Sequence, residues 1–68
     1  MSAETKRSPG AVCGLKIRQA REERGLSLTN LAGLANISVS YLSEVENGRK
    51  SPSLQVVQRL AEALNLEP

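Results

Sequence analysis

The sequence predicts an all-α domain of four short helices, and three features indicate this fold class. Apolar residues recur three or four positions apart along most of the chain, which is the spacing of a helix face. Serine, asparagine and glycine interrupt this pattern at short intervals, where they commonly begin or end helices. The 68 residues include a single aromatic side chain, so the core must be aliphatic. A chain of this length supports one small domain.

The N-terminal segment is predicted to precede the domain. Residues 1–12 are mostly small or polar and contain the Pro9-Gly10 pair, so we interpret them as a flexible arm. A first helix is expected from residue 13 and should end at Gly25, because glycine readily adopts the left-handed conformation that closes a helix. The inner face of this helix is predicted to contain Cys13, Ile17, Ala20 and Arg24. The domain is thus expected to cover residues 13–68.

Three further helices are predicted, each after a serine whose hydroxyl can accept a hydrogen bond from the first turn. The second is expected after Ser27 at about 28–35, the third from Ser38 to about Glu46, and the fourth after Ser53. Their buried residues are predicted to be Leu31, Ala32, Leu34 and Ala35, then Leu42 and Val45, then Leu54, Val57, Leu60, Ala61 and Leu64. Tyr41 is expected at the edge of the core.

The second and third helices are separated by only about two to four residues, which predicts the steep crossing of a helix-turn-helix. In such units the later helix presents its outer face to the major groove of DNA. That face is predicted to consist of Val39, Ser40, Ser43, Glu44 and Asn47. Serine hydroxyls can bond to bases, a valine can pack on a thymine methyl, and a glutamate can accept from a cytosine amino group.

Phosphate contacts are predicted at two places beside this face. One place is the start of the second and third helices, where the first turns after Ser27 and after Ser38 expose backbone N–H groups. Helix N-termini attract anions, and Ser27 and Thr29 are the predicted phosphate contacts there. Arg49 and Lys50 follow the third helix directly, where they are expected to hold the DNA backbone.

Composition narrows the possible function classes. The chain has no histidine and one cysteine, which excludes a disulfide framework, a Cys/His zinc site and a Ser-His or Cys-His catalytic pair. We therefore predict neither an enzyme nor a metal or cofactor site. The net charge of +2 permits nucleic acid as a partner. No apolar run is long enough to span a membrane, the N-terminus lacks a signal-peptide core, and a lone thiol suits a cytoplasmic location.

Four segments carry a resemblance to a known family. REERGLS, LAGLANIS, YLSEVENGRKSP and LAEALNL, in this order and spacing, resemble the lambda-repressor-like, or Xre-type, helix-turn-helix family from Cys13 to about Leu66. The resemblance implies a sequence-specific DNA-binding transcription regulator, usually a repressor, that binds a palindromic operator as a homodimer. It also implies a structural ion pair between Arg21 and Glu46, and phosphate contacts by Asn47 and the residues after it. The base-reading positions of the family fall on Ser38, Val39, Ser40, Ser43 and Glu44.

Departures from the family pattern keep alternatives open. Leu28 stands where the family usually places a DNA-contacting glutamine, while Val39 and Glu44 replace residues that are commonly polar or basic. Together with the small net charge, they support a second hypothesis: a protein-interaction, adaptor or antitoxin-like module with weak DNA binding. The family also commonly has a fifth helix, which would start near Pro68. A truncated five-helix domain, followed by an effector or dimerisation domain beyond residue 68, is therefore the alternative to four helices.

Overall fold

Four α-helices are present in the computed structural model, which describes the backbone of residues 9–65 and the side chains of residues 14–65. They are α1 (Pro9–Glu23), α2 (Leu28–Ala35), α3 (Val39–Glu46) and α4 (Leu54–Ala63). The described residues include no strand, and the all-α prediction is confirmed. None of the described helices combines the length and the apolar character needed to cross a membrane.

Helix α1 begins at Pro9, four residues before its predicted start at Cys13. The predicted helix start is therefore wrong by four residues, since residues 9–12 of the predicted arm are helical, and residues 1–8 lie outside the described part of the chain. Proline is compatible with the first helical turn, because its fixed φ is helical and the N–H that it lacks has no partner there. The predicted core position of the Cys13 side chain also lies outside the described residues.

Serine side chains cap the other three helices, as predicted. Ser27 Oγ accepts a hydrogen bond from Asn30 N at 2.9 Å, and Ser38 Oγ accepts one from Tyr41 N at 3.0 Å. Ser53 Oγ accepts from the backbone N–H of the third residue after it at 3.2 Å. Each such cap stabilises its helix by about 1 kcal/mol.

Left-handed residues form the two turns that position α2. Gly25 has a φ of 67°, and the N–H of Leu26 donates to Arg21 O at 3.1 Å, which closes α1. Asn36 has a φ of 59° at the end of α2, and the next N–H, of Ile37, donates to Ala32 O at 2.9 Å. The chain therefore turns sharply after α2, and three residues separate the end of α2 from the start of α3. This is the helix-turn-helix connection that the sequence predicts.

The core lies where α1 packs against α3 and where α2 packs against both α3 and α4. Its buried aliphatic residues are Ile17, Ala20, Leu31, Ala32, Ala35, Leu42, Val45, Leu60 and Leu64. The predicted burial of Leu34 and Leu54 is wrong, because these side chains are 62% and 72% exposed. Arg24, predicted on the inner face of α1, is exposed as well.

The errors at Leu34 and Leu54 have a common physical cause. A short helix buries a narrow stripe, and in α2 that stripe is filled by residues 31, 32 and 35. In α4 the inner stripe runs through Val56 and Leu60 and continues to Leu64, the residue after the helix, so it is rotated from the predicted one. Val57 and Ala61 are accordingly only half-buried.

A close backbone contact joins α1 to the end of α3. Gly14 is buried in α1, and a Cβ added there would collide with the carbonyl oxygen of Val45 and lie 3.1 Å from that of Glu46. The α1 backbone can therefore approach the last turn of α3 only because this residue has no side chain. This contact sets how closely α1 approaches the last turn of α3.

Candidate nucleic-acid interface

Helix α3 has one buried and one accessible side. Leu42, Val45 and Glu46 face the interior. The residues predicted to read bases lie away from that face or at the helix start: Ser38, Val39 and Ser40 are exposed, and Ser43 and Glu44 are half-buried. At 100° per residue, positions 40, 43, 44 and 47 lie on the side opposite the interior. The outer face is thus polar and continuous along the helix.

The exposed groups at the start of α3 offer different chemistry. The Ser38 hydroxyl accepts the capping hydrogen bond from Tyr41 N, and its own proton remains able to donate. Ser40 makes no side-chain hydrogen bond to another described residue, so its hydroxyl is available as donor and acceptor. Val39 is 39% exposed and presents methyl groups beside these hydroxyls. The helix start therefore combines hydrogen-bonding groups with one apolar contact.

Asn47 is attached to the last turn of α3. Its Nδ2 donates to Ser43 O at 2.8 Å and lies 3.5 Å from Ser43 Oγ. The amide keeps a second N–H and its carbonyl oxygen, and the residue is exposed. Asn47 is therefore held in a defined position while part of its hydrogen-bonding capacity faces solvent.

The structure brings together two predicted site residues that the sequence assigned to different roles. Lys50 Nζ lies 3.5 Å from Glu44 Oε1, with 54% of the lysine side chain and 43% of the glutamate side chain exposed. The loop folds back over α3, since Arg49 N donates to Glu44 O at 2.8 Å. Sequence reasoning missed this pair, because the spacing of six residues crosses a helix end and matches no helical pairing rule. Arg49 is exposed and forms no ion pair with another described residue.

The start of α2 is organised by a reciprocal hydrogen-bond motif. Ser27 Oγ accepts from Asn30 N at 2.9 Å and donates to Asn30 Oδ1 at 2.8 Å, while Ser27 N donates to the same Oδ1 at 3.3 Å. The proton of the Ser27 hydroxyl is therefore already donated within the motif, so this hydroxyl has no donor left for a phosphate. The backbone N–H groups of Leu28 and Thr29 have no acceptor within the helix, and they remain for an anion. The side chain of Leu28 is half-buried against the core, whereas Thr29 is exposed.

Arg21 and Glu46 lie in contact and connect α1 to the last residue of α3. Arg21 Nε lies 2.8 Å from Glu46 Oε2, Nη2 lies 3.1 Å from Oε1, and Nη1 donates to Leu26 O at 2.8 Å. The side chains are only 12% and 5% exposed. The hydrogen bond with Glu46 raises the pKa of Arg21 above its ordinary value, so the guanidinium stays charged. The sequence offered no signal for the contact with the Leu26 carbonyl.

Comparisons with known proteins agree with this architecture. The family model described as Helix-turn-helix matches residues 17–68. The transcriptional regulator DdrOP3 of Deinococcus deserti is 54% identical over 46 residues, which are 68% of this chain and 36% of that protein. The immunity repressor of Bacillus phage phi105 is 41% identical over 54 residues, which are 79% of this chain and 38% of that protein. The chain thus spans little more than a third of the length of these relatives.

Two solved structures have the same fold. The clp gene regulator ClgR of Corynebacterium glutamicum superposes with a TM-score of 0.82 at 33% identity, covering 84% of this chain and 61% of that one. The restriction-modification controller protein C.AhdI of Aeromonas hydrophila also gives 0.82, at 36% identity, covering 85% of this chain and 88% of that one. The resemblance stated from the four sequence segments is confirmed. The chain belongs to the lambda-repressor-like, or Xre-type, helix-turn-helix family.

Proposed function

We propose that this chain is the DNA-reading domain of a cytoplasmic, non-enzymatic transcription regulator that binds double-stranded DNA in a sequence-specific way. The observation that carries the proposal is the accessible polar face of α3. The opposite side of this helix is buried, and the helix follows a sharp turn from α2. A helix presented in this way fits the major groove of B-form DNA. The names of the relatives DdrOP3 and the phage immunity repressor support the same function, and the second of them supports repression.

Base reading is assigned to the start and outer face of α3. The free hydroxyl of Ser40 is suited to donate to or accept from a base edge, and the methyl groups of Val39 are suited to a thymine methyl. Ser38 and Ser43 extend the same face, and Glu44 is an acceptor for the amino group of cytosine. These residues supply discrimination between sequences, because base edges differ in donors, acceptors and methyl groups.

Phosphate binding is assigned to groups that flank α3. The exposed guanidinium of Arg49 and the outward part of the Asn47 amide lie at its end. The N–H groups of Leu28 and Thr29 at the start of α2 provide a second anion site. Such contacts fix the register of the protein on the duplex without reading sequence.

Two copies are proposed to bind a palindromic operator. A single reading helix contacts a short half-site, and a second copy on the same face of the duplex, about 34 Å away, doubles the length of sequence that is read. Occupation of such an operator within a promoter would repress transcription by excluding other proteins from the same DNA.

Selection from a random duplex library tests the proposal. The purified chain is incubated with the library at near-physiological salt, and the retained DNA is sequenced. We expect enrichment of a motif with two-fold symmetry and half-sites about one helical turn apart. Enrichment of a single half-site would support base reading and contradict the dimer. Failure to enrich any motif would contradict sequence-specific binding and favour the protein-interaction hypothesis.

Substitution of one arginine tests the phosphate assignment. Arg49→Ala should weaken binding to all duplexes and reduce the slope of log affinity against log salt by about one unit, since one counterion fewer is released. Arg59→Ala is the matched control, because Arg59 is also exposed but lies on α4. An equal loss in both variants would indicate a general charge effect and remove Arg49 from the interface.

A further inference from the structure

We infer that Lys50 is a positioning residue that supplies the counter-charge for Glu44 and so determines base preference, and that it does not serve as a phosphate clamp. The inference rests on the proposed function, because it assumes that α3 enters the major groove. It reassigns Lys50, which the sequence alone places with Arg49 among the phosphate contacts. The observation that carries it is the Nζ–Oε1 distance of 3.5 Å between Lys50 and Glu44.

The loop backbone brings Lys50 to this place. Gly48 N donates to Val45 O at 3.1 Å, and Arg49 N donates to Glu44 O at 2.8 Å. These two hydrogen bonds fold the chain back over the last turn of α3 and bring Arg49, the residue before Lys50, to the backbone of Glu44. The turn therefore favours the proximity of the two charges, and the Lys50 side chain spans the remaining distance to Glu44.

An unpaired carboxylate on the reading face would oppose DNA binding. The groove is bordered on both sides by phosphates, and a negative side chain that enters it lowers the affinity for every sequence. Glu46 does not add to this problem, because Arg21 pairs with it in the interior. Glu44 is the acidic residue that remains on the outer face, and Lys50 is the cation within ion-pair distance of it. The pair presents an acceptor to the bases without a net charge.

A neutralised acceptor at this position has a defined preference. Cytosine offers an amino donor at its major-groove edge, whereas guanine and thymine offer only hydrogen-bond acceptors there. Adenine also has an amino donor, but its neighbouring N7 is an acceptor that disfavours a carboxylate. Glu44 should therefore favour cytosine at one symmetric position of each half-site. The preference depends on Lys50, because without it the carboxylate is driven away from the DNA surface.

If Lys50 instead binds phosphate, the effects of substituting Lys50 and Glu44 should be coupled with the opposite sign. A lysine that leaves Glu44 to bind phosphate would bind at least as well when Glu44 carries no charge. A lysine that neutralises Glu44 would contribute little to DNA affinity once the charge of Glu44 is removed. The sign of the coupling between the two substitutions therefore distinguishes the two roles.

A double-mutant cycle tests the inference. Binding of the wild-type chain, Lys50→Ala, Glu44→Gln and the double variant is measured by fluorescence anisotropy, at one salt concentration, on the selected operator and on a scrambled duplex. We expect Lys50→Ala to weaken operator binding about tenfold in the wild-type background and less than about threefold in the Glu44→Gln background. Repeated library selection with Glu44→Gln should replace cytosine by adenine, which pairs with glutamine, at one symmetric position.

Arg49 provides the matched control for this cycle. Arg49→Ala should cost the same factor in the wild-type and Glu44→Gln backgrounds, because Arg49 forms no ion pair with a described residue. An equal or larger cost of Lys50→Ala in the Glu44→Gln background would overturn the inference while leaving the proposed function intact. Absence of duplex binding by the wild-type chain would overturn both. All of these side chains are at least partly exposed, and unchanged thermal unfolding of each variant excludes a folding effect.

Discussion

Replacement of Arg21 by alanine should remove a large part of the stability of the domain. The substitution leaves the Glu46 carboxylate, which is 5% exposed, without the two hydrogen bonds that neutralise it. It also removes the donor to Leu26 O. Loss of one partner from a buried ion pair typically costs about 3–5 kcal/mol, because the remaining charge is uncompensated. At about 0.05–0.15 kcal/mol per residue, a domain of this size has a total stability of about 3–10 kcal/mol.

Urea unfolding followed by helical circular dichroism measures this effect. The matched control is Arg18→Ala, because Arg18 lies on the same helix and pairs with Glu22 at 3.3 Å, but with both side chains more than half exposed (53% and 56%). An exposed pair of this kind contributes about 0.5 kcal/mol or less. We therefore expect a large shift of the unfolding midpoint for Arg21→Ala and almost none for Arg18→Ala.

A double variant separates the loss of attraction from the burial of an unpaired charge. Arg21→Met combined with Glu46→Leu replaces both charges by apolar side chains, and such replacements are often neutral or stabilising. The double variant should recover most of the stability that Arg21→Ala loses. The reasoning is refuted if Arg21→Ala unfolds within about 1 kcal/mol of Arg18→Ala, or if the double variant is as unstable as Arg21→Ala.

Three further predictions concern the backbone and the core, and the same unfolding experiment checks each. Gly14→Ala should cost about 1–3 kcal/mol because its Cβ would collide with α3, whereas Gly33→Ala, with open space around it, should add about 0.5–1 kcal/mol; equal effects would contradict the close contact. Asn36→Ala should cost about 1 kcal/mol and Asn36→Gly almost nothing, since the φ is 59°; the reverse order would argue against a left-handed turn. Leu31→Ala should cost about 2–5 kcal/mol and Leu34→Ala less than about 0.5 kcal/mol, and similar losses would place Leu34 in the core.

Features that depend on neighbouring residues were predictable from the sequence. A serine at the start of a helix accepts a hydrogen bond from a residue three positions ahead, so Ser27, Ser38 and Ser53 could be identified as caps without knowledge of the fold. The turn after α2 follows from an asparagine that tolerates positive φ. The start of α1 was mispredicted because Pro9 is compatible both with the end of an arm and with the first turn of a helix.

The composition of the candidate site was predictable, but the pairing of its members was not. The outer face of α3 follows from helical periodicity once Leu42 and Val45 are taken as buried. The contact between Glu44 and Lys50 depends on the path of a loop that folds back over a helix end. The hydrogen bond from the Ser27 hydroxyl to Asn30 Oδ1 likewise depends on the rotamer of Asn30, and sequence patterns do not specify that rotamer.

Local chemistry in the chain therefore accounts for the helices, their caps and the polar character of the outer face of α3. Packing between elements accounts for which apolar residues are buried, for the need for glycine at position 14 and for the contacts of Arg21. The physical reason is the range of the interactions. Capping and periodicity act within one or two turns, whereas the rotation of each helix about its axis is selected by the surfaces of the helices against which it packs. Leu34 and Leu54 are exposed for this reason, although each has the spacing of a core residue.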